Sequence, residues 1–114
     1  MKIFVTGGSG FVGKNFLKLA SKNNEIYAVT RRKNNNKIKN VQYLNGKLSN
    51  NWDKYLKKSD VLIHFAATGV KNQNQNLQQC IEFNVLESLK LFLNAYKNNL
   101  TNWIVIGTSS EYGL

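Results

Sequence analysis

The chain of 114 residues is poor in the residues that mark disulfide-rich, metal-binding and membrane proteins. It has one cysteine, Cys80, one histidine and no proline. A single cysteine excludes a disulfide framework and a cysteine-rich metal site, so we expect no metal. No segment approaches the roughly 20 apolar residues of a membrane span, and the N-terminus has too few apolar residues for a signal peptide. We therefore expect a cytoplasmic protein without a membrane partner.

Acidic residues are also scarce. Six of them against 16 Lys and Arg give a formal net charge of +10 and a pI of about 9.9. Such a charge can indicate a nucleic-acid partner. However, the lysines are scattered among asparagines, and aromatic residues do not interleave with them at stacking spacing. We interpret the charge as a compositional bias towards Lys and Asn that is spread over solvent-exposed faces. A basic nucleic-acid-binding domain is only the third hypothesis.

A glycine-rich turn, TGGSGFVG at residues 6–13, directly follows the apolar residues 3–5. A strand that runs through such a turn into a helix is the setting of a dinucleotide-binding turn. We expect Gly7 to adopt a positive φ, Gly10 to let the backbone approach a pyrophosphate, and Gly13 to let the helix pack closely on the strand. The amides that open the helix would hold the anion. The alternative is an ordinary strand-to-helix loop.

Segments of strand and helix period alternate along the chain, without a repeat or a linker. Strands are predicted at residues 3–5, 26–29, 41–44, 60–67 and 103–106. Helical stripes are predicted for Val12, Phe16, Leu19 and Ala20, for Trp52, Tyr55 and Leu56, and for Ile81, Val85, Leu89, Phe92 and Tyr96. Five strands joined by crossovers predict one α/β domain, a doubly wound parallel sheet with helices on both faces.

Four motifs of the chain coincide with those of one enzyme family. Residues 6–13 match its TGxxGxxG turn, and residues 60–67 (DVLIHFAA) resemble its DVxxHxAA strand. Asn84 and Val85 match a pair in its fourth helix, and residues 108–113 (TSSEYG) resemble its hydroxyl-bearing strand end. The chain thus resembles the N-terminal portion of the extended short-chain dehydrogenase/reductases, the NAD(P)-dependent epimerase/dehydratase family. The resemblance implies a truncated Rossmann domain with strand order 3-2-1-4-5, and a nucleotide-sugar substrate in the full-length enzyme.

The resemblance also implies hydride transfer at a sugar carbon, with a hydroxyl at the end of the fifth strand holding the substrate oxygen. Counting back from the Tyr-Gly pair assigns this catalytic hydroxyl to Thr108, with Ser109 as runner-up; a hydroxyl that only bonds the loop is the alternative. Dehydratases of the family place an acidic residue one or two positions after the catalytic hydroxyl. Those positions are Ser109 and Ser110 here, and Glu111 comes one position too late. We therefore favour a reductase or an epimerase. The family's Tyr-x-x-x-Lys and substrate domain lie beyond residue 114, so we expect an inactive fragment.

The end of the second strand bears on the choice of cofactor. NAD-preferring sites place an acidic residue about 20 residues past the glycine turn, whereas this chain has Arg31 and Arg32 there. Guanidinium groups suit a 2′-phosphate, so we predict NADP, with NAD as the alternative. After the third strand, Lys47 and Leu48 stand where the family often has Asp-Leu, which alters the adenine contact. The implied cofactor contacts are Gly7, Ser9, Gly10, Phe11, Val12, Gly13, Thr30, Arg31, Arg32, Leu48, Phe65, Ala66, Ala67 and Asn84.

Two structural roles are predicted outside the glycine turn. His64 lies within an apolar strand, so we interpret it as a hydrogen-bonded core imidazole that supports the cofactor loop. Residues 103–106 would form an uncovered sheet edge in such a fragment, which predicts self-association. Two main hypotheses about function result: the dinucleotide-binding part of a nucleotide-sugar oxidoreductase or epimerase, and a non-catalytic dinucleotide sensor or scaffold.

Overall fold

The computed structural model describes residues 1–8, 11–31, 37–65 and 82–106. Its elements in chain order are β1 (Lys2–Thr6), α1 (Phe11–Ala20), β2 (Glu25–Thr30), β3 (Val41–Asn45), α2 (Asp53–Leu56), β4 (Val61–His64), a π-helical segment (Glu82–Glu87), α3 (Ser88–Lys97) and β5 (Trp103–Val105). The five predicted strands are confirmed. β4 is shorter than predicted, and the end of its predicted range lies outside the described residues.

The five strands form one parallel sheet in the order β3-β2-β1-β4-β5. β1 lies at its centre, where Phe4 stands opposite Tyr27 of β2 on one side and Leu62 of β4 on the other. This is the predicted doubly wound α/β fold. Because the strands are parallel, the carboxyl ends of β1, β2 and β4 meet at one edge of the sheet, the edge at which open α/β sheets bind ligands.

Apolar cores lie on both faces of the sheet, which explains why its central strands are nearly continuous apolar runs. On one face, α1 packs through Leu17 on Ile3, Val5, Ile26, Ala28 and Ile63. On the other face, a second core includes residues of α2 and α3 and consists of Phe4, Val29, Leu44, Leu48, Trp52, Leu56, Leu62, Leu91, Ala95 and Leu100. Successive residues of β1 therefore point into opposite cores, and helices cover both faces as predicted.

The apolar face of α1 differs from its predicted stripe. Leu17 is fully buried, whereas Leu19 is 68% exposed and Val12 is also exposed. The inward line of the helix runs through Gly13 and Leu17, which are about one turn apart. Because Gly13 has no side chain to mark that line, the apolar pattern is wrong in assigning Val12 and Leu19 to the buried face.

The long helix differs from its prediction in both winding and orientation. Its described part starts with a π-helical turn, Glu82–Glu87, before α3 continues in α-helical winding. The side chains that α3 buries are Ser88, Leu91 and Ala95. Members of the predicted stripe that are exposed instead are Val85, Leu89 and Tyr96. Serine and alanine carry little hydrophobic signal, so the larger apolar residues of another face dominate the pattern, and the predicted stripe is wrong for these positions.

Candidate functional site

The candidate site lies at the carboxyl edge of the sheet, beside the end of β1. The chain passes from β1 to β2 on one side, whereas β4 lies on the other side of β1. Such a reversal of strand order opens a crevice at the strand ends, and ligands bind in this crevice. Thr6 and His64 are the last residues of β1 and β4, so they lie at its base.

The turn after β1 requires glycine at two positions. Gly7 has a φ of 78°, a left-handed conformation that costs glycine little. A Cβ on Gly13 would lie 2.2 Å from the carbonyl oxygen of Gly7 and 2.9 Å from the Cα of Gly8. The positive φ predicted for Gly7 is therefore confirmed. Gly13 packs closely, as predicted, but its nearest neighbours belong to the turn after β1 and not to the strand itself. α1 begins at Phe11, so the amides of its first turn, which have no partner within the helix itself, lie close behind Gly7 and Gly8 in the chain.

Three buried polar side chains join the ends of β1 and β4 to the start of α3. The Thr6 hydroxyl and Nδ1 of His64 share a hydrogen bond of 2.5 Å, and the Ser88 hydroxyl and Nε2 share one of 3.2 Å. Burial lowers the pKa of the His64 imidazole, because the cation would lose its hydration there. His64 is thus a neutral core imidazole with both ring nitrogens paired, as predicted.

The end of β2 carries a cation and no carboxylate among the described residues. Thr30 is buried, and its carbonyl oxygen accepts the Gly46 amide at 2.9 Å. Arg31 follows and is exposed. Glu25 lies at the opposite end of the strand, where it faces the Lys2 ammonium at 3.8 Å. The described side chains at the end of β2, Thr30 and Arg31, are therefore neutral and basic.

Comparison with protein families covers almost the whole chain. A model of the NAD-dependent epimerase/dehydratase family matches residues 3–114. The chain belongs to this family. No curated protein sequence matches it significantly.

Solved structures agree with this membership of the epimerase/dehydratase family. The chain is 27% identical to MoeE5, solved in complex with UDP-glucose and NAD, with a TM-score of 0.84 over 99% of this chain and 38% of MoeE5. It is 26% identical to the UDP-N-acetylglucosamine 4-epimerase from Methanobrevibacter ruminantium M1, with a TM-score of 0.82 over 97% and 39% of the two chains. The Bordetella bronchiseptica enzyme WbmH, 17% identical, shares the fold with a TM-score of 0.74 over 98% and 40%. The chain spans about two-fifths of the length of these proteins.

Two further predicted cofactor contacts follow β4 and β3 in the chain, namely Phe65 and Leu48. Phe65 directly follows β4 and packs against Phe16 of α1, with ring centroids 5.5 Å apart. Leu48 is buried in the core, so only its backbone can face a ligand. The loop around it is held by Trp52, whose indole N–H donates to the Lys47 carbonyl oxygen at 2.9 Å.

The remaining predicted site residues divide into two groups. Val12 is exposed in the first turn of α1, and Asn84 lies in the π-helical segment. Those outside the described residues are Ser9, Gly10, Arg32, Ala66, Ala67, Thr108 and Ser109. The structure therefore brings the glycine turn and Phe65 to the same edge of the sheet, while the predicted catalytic hydroxyls stay predictions.

Sequence reasoning missed Ser88, the third member of the buried polar chain. Its signal is the spacing of Ser88, Leu91 and Ala95, which follows the i, i+3, i+7 pattern of one helix face. A serine on an otherwise inward-facing line needs a buried hydrogen-bond partner, and the single histidine of the chain supplies one.

The part of the chain that the structure describes has neither a cluster of metal-ligating side chains nor a membrane-spanning helix. No group of three or more His, Cys, Asp or Glu residues there could hold a metal ion. None of the helices described is long and apolar enough to cross a bilayer.

Proposed function

We propose that the chain binds NAD(P) as the dinucleotide-binding part of a nucleotide-sugar epimerase or reductase. The observation that carries the proposal is the turn after β1, in which Gly7 has a positive φ and a Cβ at Gly13 would collide with the Gly7 carbonyl oxygen. A turn of backbone without side chains suits a pyrophosphate, which needs close amide donors. Family membership and the MoeE5 complex with UDP-glucose and NAD support the same class of ligands.

We infer further that NADP is the preferred cofactor. An NAD site uses a carboxylate at the end of the second strand to bind the ribose hydroxyls, and the described end of β2 has Thr30 and Arg31 instead. The guanidinium groups of Arg31 and Arg32 suit the 2′-phosphate of NADP, because each presents paired donors and a permanent charge. NAD is the second candidate, supported by the ligand of MoeE5.

Titration of the chain with NADPH and NADH tests both proposals. We expect NADPH to bind more tightly. Replacing Arg31 and Arg32 by alanine should raise the NADPH dissociation constant about ten- to a hundredfold and change NADH binding little, since a hydrogen bond to a charged group contributes about 1.5–3 kcal/mol. Lys57→Ala is the matched control, because this exposed cation follows α2 at the opposite edge of the sheet.

The two proposals fail on different results. Tighter binding of NADH, or unchanged NADPH binding by the double arginine variant, would contradict the assignment of NADP. A chain that binds neither dinucleotide would contradict the proposed site itself.

For catalysis, we propose that Thr108, with Ser109 as second candidate, holds the substrate oxygen of a nucleotide sugar. When bound, the nicotinamide exchanges a hydride with a sugar carbon. The 114 residues contain no Tyr-x-x-x-Lys after Tyr112, so we expect them to bind dinucleotide without turnover, which a dinucleotide sensor would also do. Chromatography of UDP-glucose incubated with the chain and NAD or NADP tests this, and a new sugar product would contradict it.

We also propose that the chain self-associates through β5, which lies at the edge of the sheet beside β4. Its apolar residues and their neighbour are exposed, namely Trp103, Ile104, Val105 and Ile106. Such an edge is a template for pairing with a second copy. Light scattering is expected to detect a dimer that Ile104→Lys converts to monomer; a wild-type monomer at high concentration would contradict the proposal.

A further inference from the structure

One buried hydrogen-bonded chain joins the two elements that carry predicted cofactor contacts. Thr6 is the last residue of β1 and immediately precedes Gly7, the first glycine of the turn. Ser88 immediately follows the π-helical segment Glu82–Glu87, which contains Asn84. His64 lies between the two hydroxyls, with a hydrogen bond on each ring nitrogen. Glycine turn and π-helical segment are thus connected through a single imidazole.

We propose that His64 and Ser88 are positioning residues for dinucleotide binding, because they hold Thr6 and thereby the glycine turn in the orientation that binds the pyrophosphate. The inference rests on the proposed function, since both residues act from behind the proposed phosphate site. Neither of them is assigned a contact with the cofactor.

The chemistry of a neutral imidazole makes the two hydrogen bonds depend on each other. One ring nitrogen carries the proton and donates, and the other accepts. One hydroxyl must therefore accept from the ring while the other donates to it, so the direction of one bond fixes the direction of the other. Loss of the Ser88 hydroxyl leaves Nε2 without this partner in a buried place, which frees the ring to turn away from Thr6.

The surroundings of Thr6 transmit such a change to the turn. The Phe65 amide donates to the Thr6 carbonyl oxygen at 3.0 Å, so β4 holds the backbone of Thr6 while His64 holds its side chain. Phe92 of α3 packs edge-on against the imidazole, with centroids 5.5 Å apart. A rotation of the imidazole would therefore act on Thr6, the residue directly before Gly7.

Substitutions of Ser88 test the role by comparing NADPH affinity with thermal stability. Ser88→Ala should raise the NADPH dissociation constant about fivefold, the equivalent of one hydrogen bond, and Ser88→Thr should restore it because the hydroxyl returns. Ser21→Ala is the matched control, since Ser21 is a buried serine just after α1, away from the carboxyl edge. It should lower the melting temperature and leave the dissociation constant unchanged.

Thr6→Val provides a second arm that removes the other hydroxyl with little change in shape. The double variant of Thr6→Val and Ser88→Ala should bind NADPH about as weakly as Thr6→Val alone, because Ser88 acts through Thr6. Additive effects, or wild-type affinity in Ser88→Ala, would overturn the positioning role even where the melting temperature falls. A wild-type chain that binds neither NADPH nor NADH would overturn the proposed function, and this inference with it.

Discussion

β1 and β5 are both short apolar strands of the same parallel sheet, yet one is buried and the other is exposed. Ile3 is 5% exposed and Val5 is fully buried, whereas Ile104 and Val105 are 50% and 57% exposed. β1 lies at the centre with a strand on each side, and β5 lies at the edge beside β4. The position in the strand order, rather than composition, decides how much of a strand is buried.

The same difference explains why the candidate site lies at the end of β1. A central strand can be fixed from both sides, and β1 is paired with β2 and β4 over its length. The glycine turn therefore begins from a residue, Thr6, whose backbone and side chain are both held by β4 and the residue after it. A turn that binds an anion through its amides needs this rigidity, because loose donors lose entropy on binding.

Matched truncations of the two strands should give the largest contrast. Ile3→Ala is expected to lower the free energy of unfolding by about 2–4 kcal/mol, because it opens a cavity in the core beneath α1. Ile104→Ala should cost the monomer, at low protein concentration, less than about 1 kcal/mol, because its side chain is half exposed there. Urea unfolding followed by circular dichroism measures both values. Equal losses would mean that β5 is as well covered in solution as β1.

A side chain at Gly13 should weaken the central region by a smaller amount. Gly13→Ala places a Cβ 2.2 Å from the Gly7 carbonyl oxygen. Because the backbone must shift to relieve this contact, we expect the free energy of unfolding to fall by about 1–3 kcal/mol. The affinity for NADPH should fall as well. Thermal unfolding and NADPH titration measure the two effects. Lys14→Ala, at an exposed neighbouring position of α1, is the control. Wild-type stability in Gly13→Ala would show that the turn and α1 are not in close contact.

Protonation of His64 should have the smallest effect on the free energy of unfolding. His64 is the last residue of β4, which lies between β1 and β5 in the sheet. The native pKa of His64 lies below its ordinary value of 6.5, so between these two pH values the unfolded chain binds more protons. The free energy of unfolding should fall as pH drops below about 6.5, by at most about 1.4 kcal/mol per pH unit, until the native pKa is reached. His64→Gln should flatten this part of a urea-unfolding profile. If His64→Gln leaves the slope of unfolding free energy against pH unchanged, carboxylates and not His64 cause the pH dependence.

Most of the fold could be predicted from the sequence because strand identity in a parallel sheet is marked by short apolar runs. β1, β2 and β3 lie where these runs predict them. The faces of the helices were less predictable, since an inward position can be occupied by glycine or serine. Gly13 and Ser88 are such positions, and the large apolar residues beside them gave the stronger pattern.

The candidate site was predictable where backbone geometry restricts residue type. Gly7 and Gly13 follow from a positive φ and a close approach, which glycine alone meets without strain. The pairing of His64 with Ser88 was not predictable, because it depends on residues 24 apart that meet only once the long helix packs on the sheet. The spacing of residues within one segment does not predict a contact between two segments.

The hydrogen bond between Thr6 and His64 also bears on the order in which the chain folds. These residues are 58 positions apart, and β1 pairs with β4 along most of its length. β1 is synthesised before β4. Pairing of the two strands closes a long loop, and the entropy of closure must be lost before the strand contacts can stabilise the structure. The glycine turn is therefore encoded near the start of the chain, whereas the strand that holds Thr6 is available only once residues 61–64 have been synthesised.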